Sequence, residues 1–203
     1  MSDDRPAASP ASWSTGRSTT GGFMGEQKAH EHAAIHGASF KGMRHDLARW
    51  LDEVGMHEVA SLDSCSELFG PKGEEVLHTT SAIRYPTFKH EHGGSWTNYS
   101  GSSPNLLDHR LLRSMVEKIL AVELRQLDRA IVVPVGKAAN RAVEHLCGIG
   151  VLDPARCLLG LPHPSGASPH RERYFEAAKG SLRRQVQDMP IFAGVRPPSP
   201  AFP

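Results

Sequence analysis

The sequence predicts a three-layer α/β/α domain around a parallel sheet, and three observations carry that expectation. Amphipathic helical patterns recur along the chain, as in Ser39–Val54 and Leu106–Gln126. Short apolar runs bounded by turn residues, Ala130–Val135 "AIVVPV" and Cys157–Leu161 "CLLGL", stand among them and read as buried strands. Helices that alternate with such strands cover both faces of a parallel sheet.

Each element follows from its residues. In Ser39–Val54, Met43, Leu47, Trp50, Leu51 and Val54 recur at helical spacing, and Gly55 follows as a C-terminal stop. Glu75–Thr80, "EVLHTT", reads as a short strand with a β-branched end. Lys89–Ser103, "KHEHGGSWTNYSGSS", reads as a long polar loop. Long loops in compact domains are functional or disordered, and Trp96, Asn98 and Tyr99 suit stacking on a base or sugar. Leu106–Gln126 is a long helix whose buried stripe is Leu107, Leu111, Met115, Ile119 and Val122. Gly136-Lys137 is not a phosphate-binding loop. No glycine lies five residues before Gly136, and Ala138 stands where a metal-binding hydroxyl belongs.

The whole chain narrows the class. Its 203 residues suit one domain over 23–188, between a Ser/Thr/Pro/Ala/Gly-rich tail at 1–22 and a proline-rich tail at 189–203. A net charge of +1 excludes a globally basic nucleic-acid binder but leaves room for a basic face. Cys65, Cys147 and Cys157 form no close pair in sequence, which argues against a disulfide framework or a cysteine-based zinc site. No apolar run has the length of a membrane span, and "MSDDRPAASP" has no leader pattern. A cytoplasmic, intracellular monomer is expected, with no membrane partner.

The stretch Cys157–Val186 organises the candidate site. After its apolar run comes Pro162-His163-Pro164-Ser165-Gly166-Ala167-Ser168-Pro169, stiffened by three prolines, with Gly166 free to take a left-handed turn. Ser168-Pro169 suits the cap and first turn of a helix. That helix carries Phe175, Ala178, Leu182 and Val186 on one face, and Arg171, Arg173, Lys179, Arg183 and Arg184 elsewhere. A His and a Ser thus sit between a strand end and a helix N-terminus, where open α/β sheets bind ligands.

This loop resembles the last motif of the uracil-DNA glycosylase superfamily, a His-Pro-Ser loop after the final core strand, and the resemblance runs from about Phe40 to Val186. It implies recognition of a flipped-out damaged base in DNA and hydrolysis of its N-glycosidic bond, with no metal and no cofactor. His163 inherits the catalytic contact to the departing base, and Ser165, Gly166, Arg171 and Arg173 inherit contacts to DNA. "SFKG…LARWLDEVG" is similar to the family's aromatic, glycine turn and helix, which makes Phe40 the stacking residue. Thr80 falls where the family carries a base-reading residue, often Asn; a Thr hydroxyl offers less than an amide. "NYSG", Asn98–Gly101, resembles a further family segment. The family's water-positioning residue lies in a Gly-x-x-Pro loop after its first strand. The nearest match here is Gly25-Glu26, without the proline and after the poor strand "GRSTTGGFM". Glu26 is therefore the candidate carboxylate, and the first of about four expected short strands is the doubtful one.

Two further function classes stay open: a catalytically inactive nucleic-acid-binding relative, and a metal-dependent enzyme built on His30, His32 and His36 or on His90 and His92.

Overall fold

A computed structural model describes the chain over residues 40–167 and 169–189. The first helix, α1 (Arg44–Glu53), buries Leu47, Trp50 and Leu51 of the expected stripe with Ala48 beside them, while Val54 is buried just past its end and Met43 before it is half-buried. Gly55 ends it in the left-handed region at φ 88°. Its N–H donates to the Asp52 carbonyl at 3.0 Å, a conformation cheap only without a Cβ. One helical turn, α2 (Met56–Val59), and a 3₁₀ turn, Cys65–Phe69, follow. Asp52 fastens that turn to α1: its carboxylate accepts the Cys65 N–H at 2.7 Å and the Ser64 hydroxyl at 2.8 Å.

The segment expected as the strand Glu75–Thr80 instead opens with a helical turn, α3 (Gly73–Val76), and residues 77–81 join no sheet. The expected long loop Lys89–Ser103 is largely a β-hairpin. β1 (Phe88–His90) and β2 (Trp96–Asn98) pair antiparallel, with Phe88 opposite Asn98 and His90 opposite Trp96. Gly93 and Gly94 turn the chain at φ 112° and 88°, conformations open to glycine.

The long helix begins later than its sequence pattern suggests, as α4 (Arg110–Met115). It passes through a π turn at Val116–Leu120 and ends as α5 (Ala121–Gln126). Its buried residues are Leu112, Val116, Leu120, Ala121 and Leu124, whereas Leu111 is 56% exposed and Val122 48%. The expected stripe is thus one residue out of phase. Apolar residues come here in adjacent pairs, Leu111-Leu112, Met115-Val116 and Ile119-Leu120. Periodicity fixes the spacing of such pairs but not which member faces inward.

The next helix, α6 (Lys137–Gly148), buries Asn140, Ala142, Val143 and Leu146. Before it runs the segment 131–135, and beside that, parallel to it, the segment 157–161. They touch through one bridge, Val132 to Cys157. Val132 N–H donates to the Arg156 carbonyl at 2.8 Å and Leu158 N–H to the Val132 carbonyl at 2.9 Å. The ladder then breaks for a readable reason: Pro134 has no N–H to give. The Asn140 side chain fills the gap, its Oδ1 accepting the Gly160 N–H at 2.6 Å while its Nδ2 donates to the Pro134 carbonyl at 3.1 Å. Pairing resumes one residue out of register, with Gly136 N–H to the Leu161 carbonyl at 3.0 Å, across a Gly160 held at φ 98°. Arg156 is buried at the start of this pair. Its guanidinium donates to the carbonyls of Leu124, Leu127 and Ala130, closing the C-terminal end of α5.

The last helix, α7 (Arg171–Asp188), buries Phe175, Leu182 and Val186, as expected, and Ala178 packs against the same cluster. It lies on α1. Trp50 stacks on Phe175 with ring centroids 4.8 Å apart and planes within 9°. Around that contact Arg171 binds Asp46 at 3.2 Å and Arg49 binds Glu172 at 2.7 Å, while Lys179 pairs with Glu53. Lys179 and Arg49 hold the Glu53 carboxyl below its ordinary range, and Glu53 raises Lys179 in return.

Two apolar clusters result, one around α1 and α7 and one around α4, α5 and α6. The paired segments run between them: Ile131, Val133, Val135 and Leu158 pack on the first, Val132 and Cys157 on the second. The expected α/β/α domain with a parallel sheet of about four strands is nevertheless overturned. Among the described residues the fold is mostly helical, and its sheet is the two-stranded antiparallel hairpin. The segments have the side-chain alternation of strands, but a proline, a bulge and a side-chain bridge replace the ladder. Cys147 and Cys157, ten residues apart in sequence, lie with their sulfurs 3.8 Å apart; all three thiols are free, and burial pushes the Cys157 thiol up to about 12.

Candidate functional site

The His163 loop is anchored by its neighbour. Pro164 is fully buried, whereas His163 is exposed and Ser165 half-buried. Ser165 N–H donates to His163 Nδ1 at 3.2 Å, and Ala167 N–H donates to the Ser165 hydroxyl oxygen at 3.2 Å. An Nδ1 that accepts a hydrogen bond carries no proton, so the neutral ring has its proton on Nε2. His163 therefore presents an N–H donor outward from a loop that cannot easily turn it. The donor that orients the ring is the backbone N–H of residue 165, which any residue but proline would supply, while the Ser165 hydroxyl serves the turn at Ala167.

Gly136 sits against the other side of the imidazole. A Cβ there would stand 3.0 Å from the His163 Cβ and 3.1 Å from Cδ2, and φ is 84°. Only glycine lets the turn before α6 approach this closely. Gly101, from the "NYSG" stretch, packs on the first turn of α6, where an added Cβ would lie 2.8 Å from that of Ala138. Tyr99 in the same stretch donates its hydroxyl to the Pro104 carbonyl at 2.7 Å. Three segments thus meet at one place: the His163 loop, the Gly136 turn and the loop after β2.

Asn140 holds that place together from beneath. Its Nδ2 also donates to the Gly136 carbonyl at 2.8 Å and the Leu161 carbonyl at 3.1 Å. One buried amide thereby ties the turn under the imidazole to the segment that carries it. Sequence reasoning missed Asn140, and a mid-helix Asn gives little signal. Its fit to a proline-broken strand four to six residues upstream is the clue that was available.

The remaining expected residues are dispersed. Phe40 takes φ 69°, rare for a bulky residue. It packs at the edge of the cluster that contains Leu161, and its carbonyl accepts the Met43 N–H at 2.8 Å. Thr80 lies on α5 instead: its hydroxyl donates to Glu123 at 3.1 Å, a carboxylate also bonded by His78 at 2.7 Å and Arg84 at 3.3 Å. The proton expected to read a base edge is thus already used. Gly166 is exposed and, unlike Gly160, not left-handed. Arg171 is tied to Asp46 on α1, while Arg173 is exposed. Helix α7 starts at Arg171 with His170 as its cap, later than Ser168-Pro169 suggested; Ser168 lies outside the described residues, as do Glu26, His30, His32 and His36. His90 packs edge-on against Trp96 at 4.9 Å. Among the described residues no group of three or more His, Cys, Asp or Glu is arranged to hold a metal, and no helix is long and apolar enough to cross a membrane.

No family model matches the chain, and no solved structure matches it. Over 152 residues, 74% of its length, it is 36% identical to a Bacillus subtilis (strain 168) protein named "Uncharacterized protein YoxB". The chain spans 57% of that relative's length.

Proposed function

We propose that this chain supplies the leaving-base half of a DNA base-excision site. In this reading a damaged base is flipped out of DNA and His163 Nε2–H donates to its carbonyl oxygen. As the N-glycosidic bond to the sugar breaks, the bonding electrons move onto the base, and the fixed donor stabilises that charge. Water adds to the sugar carbon, helped by a carboxylate for which Glu26 is the candidate. The observation that carries the reading is the Ser165 N–H held on Nδ1, which makes Nε2 a donor rather than an acceptor. The reading rests on this loop and its Gly136 contact, together with the family resemblance, and not on the sheet.

A binding-only variant of the same reading has one observation in its favour: among the described residues no carboxylate hydrogen-bonds or ion-pairs with His163. A positioned acid or base typically contributes about 10²–10⁴-fold, so the chain is expected to bind damaged DNA better than it cleaves it. Incubation with uracil-, hypoxanthine- and xanthine-containing oligonucleotides should give slow product. His163→Ala should lower that rate about 10²-fold, the typical loss of one transition-state donor. A large loss with Glu26→Gln would bring that carboxylate into the site. Rapid turnover unaffected by His163→Ala would end the proposal.

The cationic start of α7 separates into two roles. Arg173→Ala should reduce the salt dependence of DNA binding by about one unit in the log–log slope, as expected for one phosphate contact. Arg171→Ala should leave the slope unchanged and lower thermal stability slightly, since its partner is Asp46. Binding titrations from low to moderate salt distinguish these outcomes, and an unchanged Arg173→Ala slope would assign that side chain to the solvated surface.

A further inference from the structure

We propose that the outer face of the β1–β2 hairpin is a stacking platform for single-stranded nucleic acid, a site that rests on the DNA reading above and specifies its strand form. Residues directly opposite in an antiparallel pair project to the same side, as do alternate residues along a strand. The register therefore puts Phe88, His90, Trp96 and Asn98 on one face. That face is open: Phe88 is 55% exposed and Trp96 67%, and His90 and Asn98 are exposed as well. His90 meets Trp96 edge-on at 4.9 Å, so the largest ring is held in place rather than free to swing.

The chemistry of this face favours bases over an apolar protein partner. It carries two aromatic rings, an imidazole and an amide, with no aliphatic side chain among them. Bases of any sequence stack on such rings, and an Asn amide offers both a donor and an acceptor to a base edge. No carboxylate stands there to repel phosphate. Glu91 is engaged by the opposite face, by Lys89 at 2.8 Å and by the Thr97 hydroxyl at 2.8 Å. Next to the platform lies a cleft of about 330 Å³ whose lining includes Arg84, Tyr85, Asn98 and Tyr99. Asn98 belongs to both. A duplex keeps its bases stacked on one another and cannot lay them on protein rings, so the platform selects an unpaired strand.

The hairpin connects to the Gly136 turn through the loop that follows β2. Tyr99 N–H closes the hairpin base on the Thr87 carbonyl at 2.8 Å. Two residues later Gly101 contacts Ala138, on the turn that also brings Gly136 against His163.

The test uses the full chain and a fluorescein-labelled 15-nucleotide dT strand without any damaged base, followed by anisotropy at low salt beside a labelled blunt duplex. The dT strand should bind tighter than the duplex and quench tryptophan emission. Trp96→Ala and Phe88→Ala should each weaken dT binding by about tenfold, within the range for loss of one base–aromatic stack. Trp96→Phe, which keeps a ring on the same strand, should stay close to the parent. Failure of the base-excision reading alone would appear as absent cleavage of damaged oligonucleotides by the parent chain with dT binding intact. Parent-like dT affinity in Trp96→Ala would overturn the platform. So would a duplex bound as tightly as dT, and so would no binding to either probe, the result expected of a face that docks a protein.

Discussion

Asn140→Ala should lower the unfolding free energy by about 3–5 kcal/mol, taking about 1–3 for an orphaned buried N–H and about 1 for each lost bond. The orphan is Gly160 N–H, now 2.6 Å from Oδ1, and the two lost bonds are those of the two Nδ2 hydrogens, which are shared among the Pro134, Gly136 and Leu161 carbonyls. Against a typical domain stability of about 5–15 kcal/mol this is a large fraction. Asn140→Asp should be worse than Ala, because it keeps the acceptor for Gly160 but turns a carboxylate toward three carbonyl oxygens. Urea unfolding of both variants measures this. A loss under about 1 kcal/mol in Asn140→Ala would mean that water replaces the amide without cost, and that the two segments are not held by this side chain. The effect should reach the site as well, since Gly136 and Leu161 are the backbone under and before His163.

Trp50→Ala should cost about 3–5 kcal/mol, the usual range for removing a fully buried large aromatic. Trp50 is fully buried between α1 and α7, parallel to Phe175, and its Nε1–H reaches Glu172 at 3.3 Å. For a domain of this size such a loss lowers Tm by about 2–4 °C per kcal/mol, or about 10 °C in all. Combining Trp50→Ala with Phe175→Ala isolates the stacked pair, with a coupling of about 0.5–1.5 kcal/mol expected beyond area burial. Additive losses would mean that the rings fill volume without favouring one another. The ion pairs around the stack are half-exposed and should contribute far less than the ring, so Arg49→Ala is the natural contrast.

Much of the helical half of this protein was legible because it depends on local pattern. Helix α1, its Gly55 stop and the buried face of α7 follow from spacing alone. The phase of α4 and α5 did not, because paired apolar residues satisfy two phases equally and only the partner α6 chooses between them. The hairpin was hidden inside a polar loop, although Gly93-Gly94 between "FKH" and "WTN" is a turn signal of the right kind. Of the candidate site, Ser165 N–H and Gly136 lie against His163, and Gly101 of the NYSG stretch packs on Ala138, two residues beyond Gly136. Thr80 and Arg171 are drawn off to Glu123 and Asp46, carboxylates distant in sequence that no local rule couples to them.

By itself the sequence determined which residues are apolar, where prolines and glycines punctuate the chain, and that a stiff His-Pro-Ser loop precedes an amphipathic helix. Those properties are local, a matter of side-chain chemistry and the dihedral limits of one or two residues. Only the tertiary structure decided whether two apolar runs became a sheet. Hydrogen-bond pairing depends on the donors of both segments at once. Pro134 withholds one donor, Gly160 shifts the register, and Asn140, from a third element, supplies the missing bonds. The direction of the His163 donor was settled the same way, by a Ser165 N–H behind the ring and a Gly136 turn beside it.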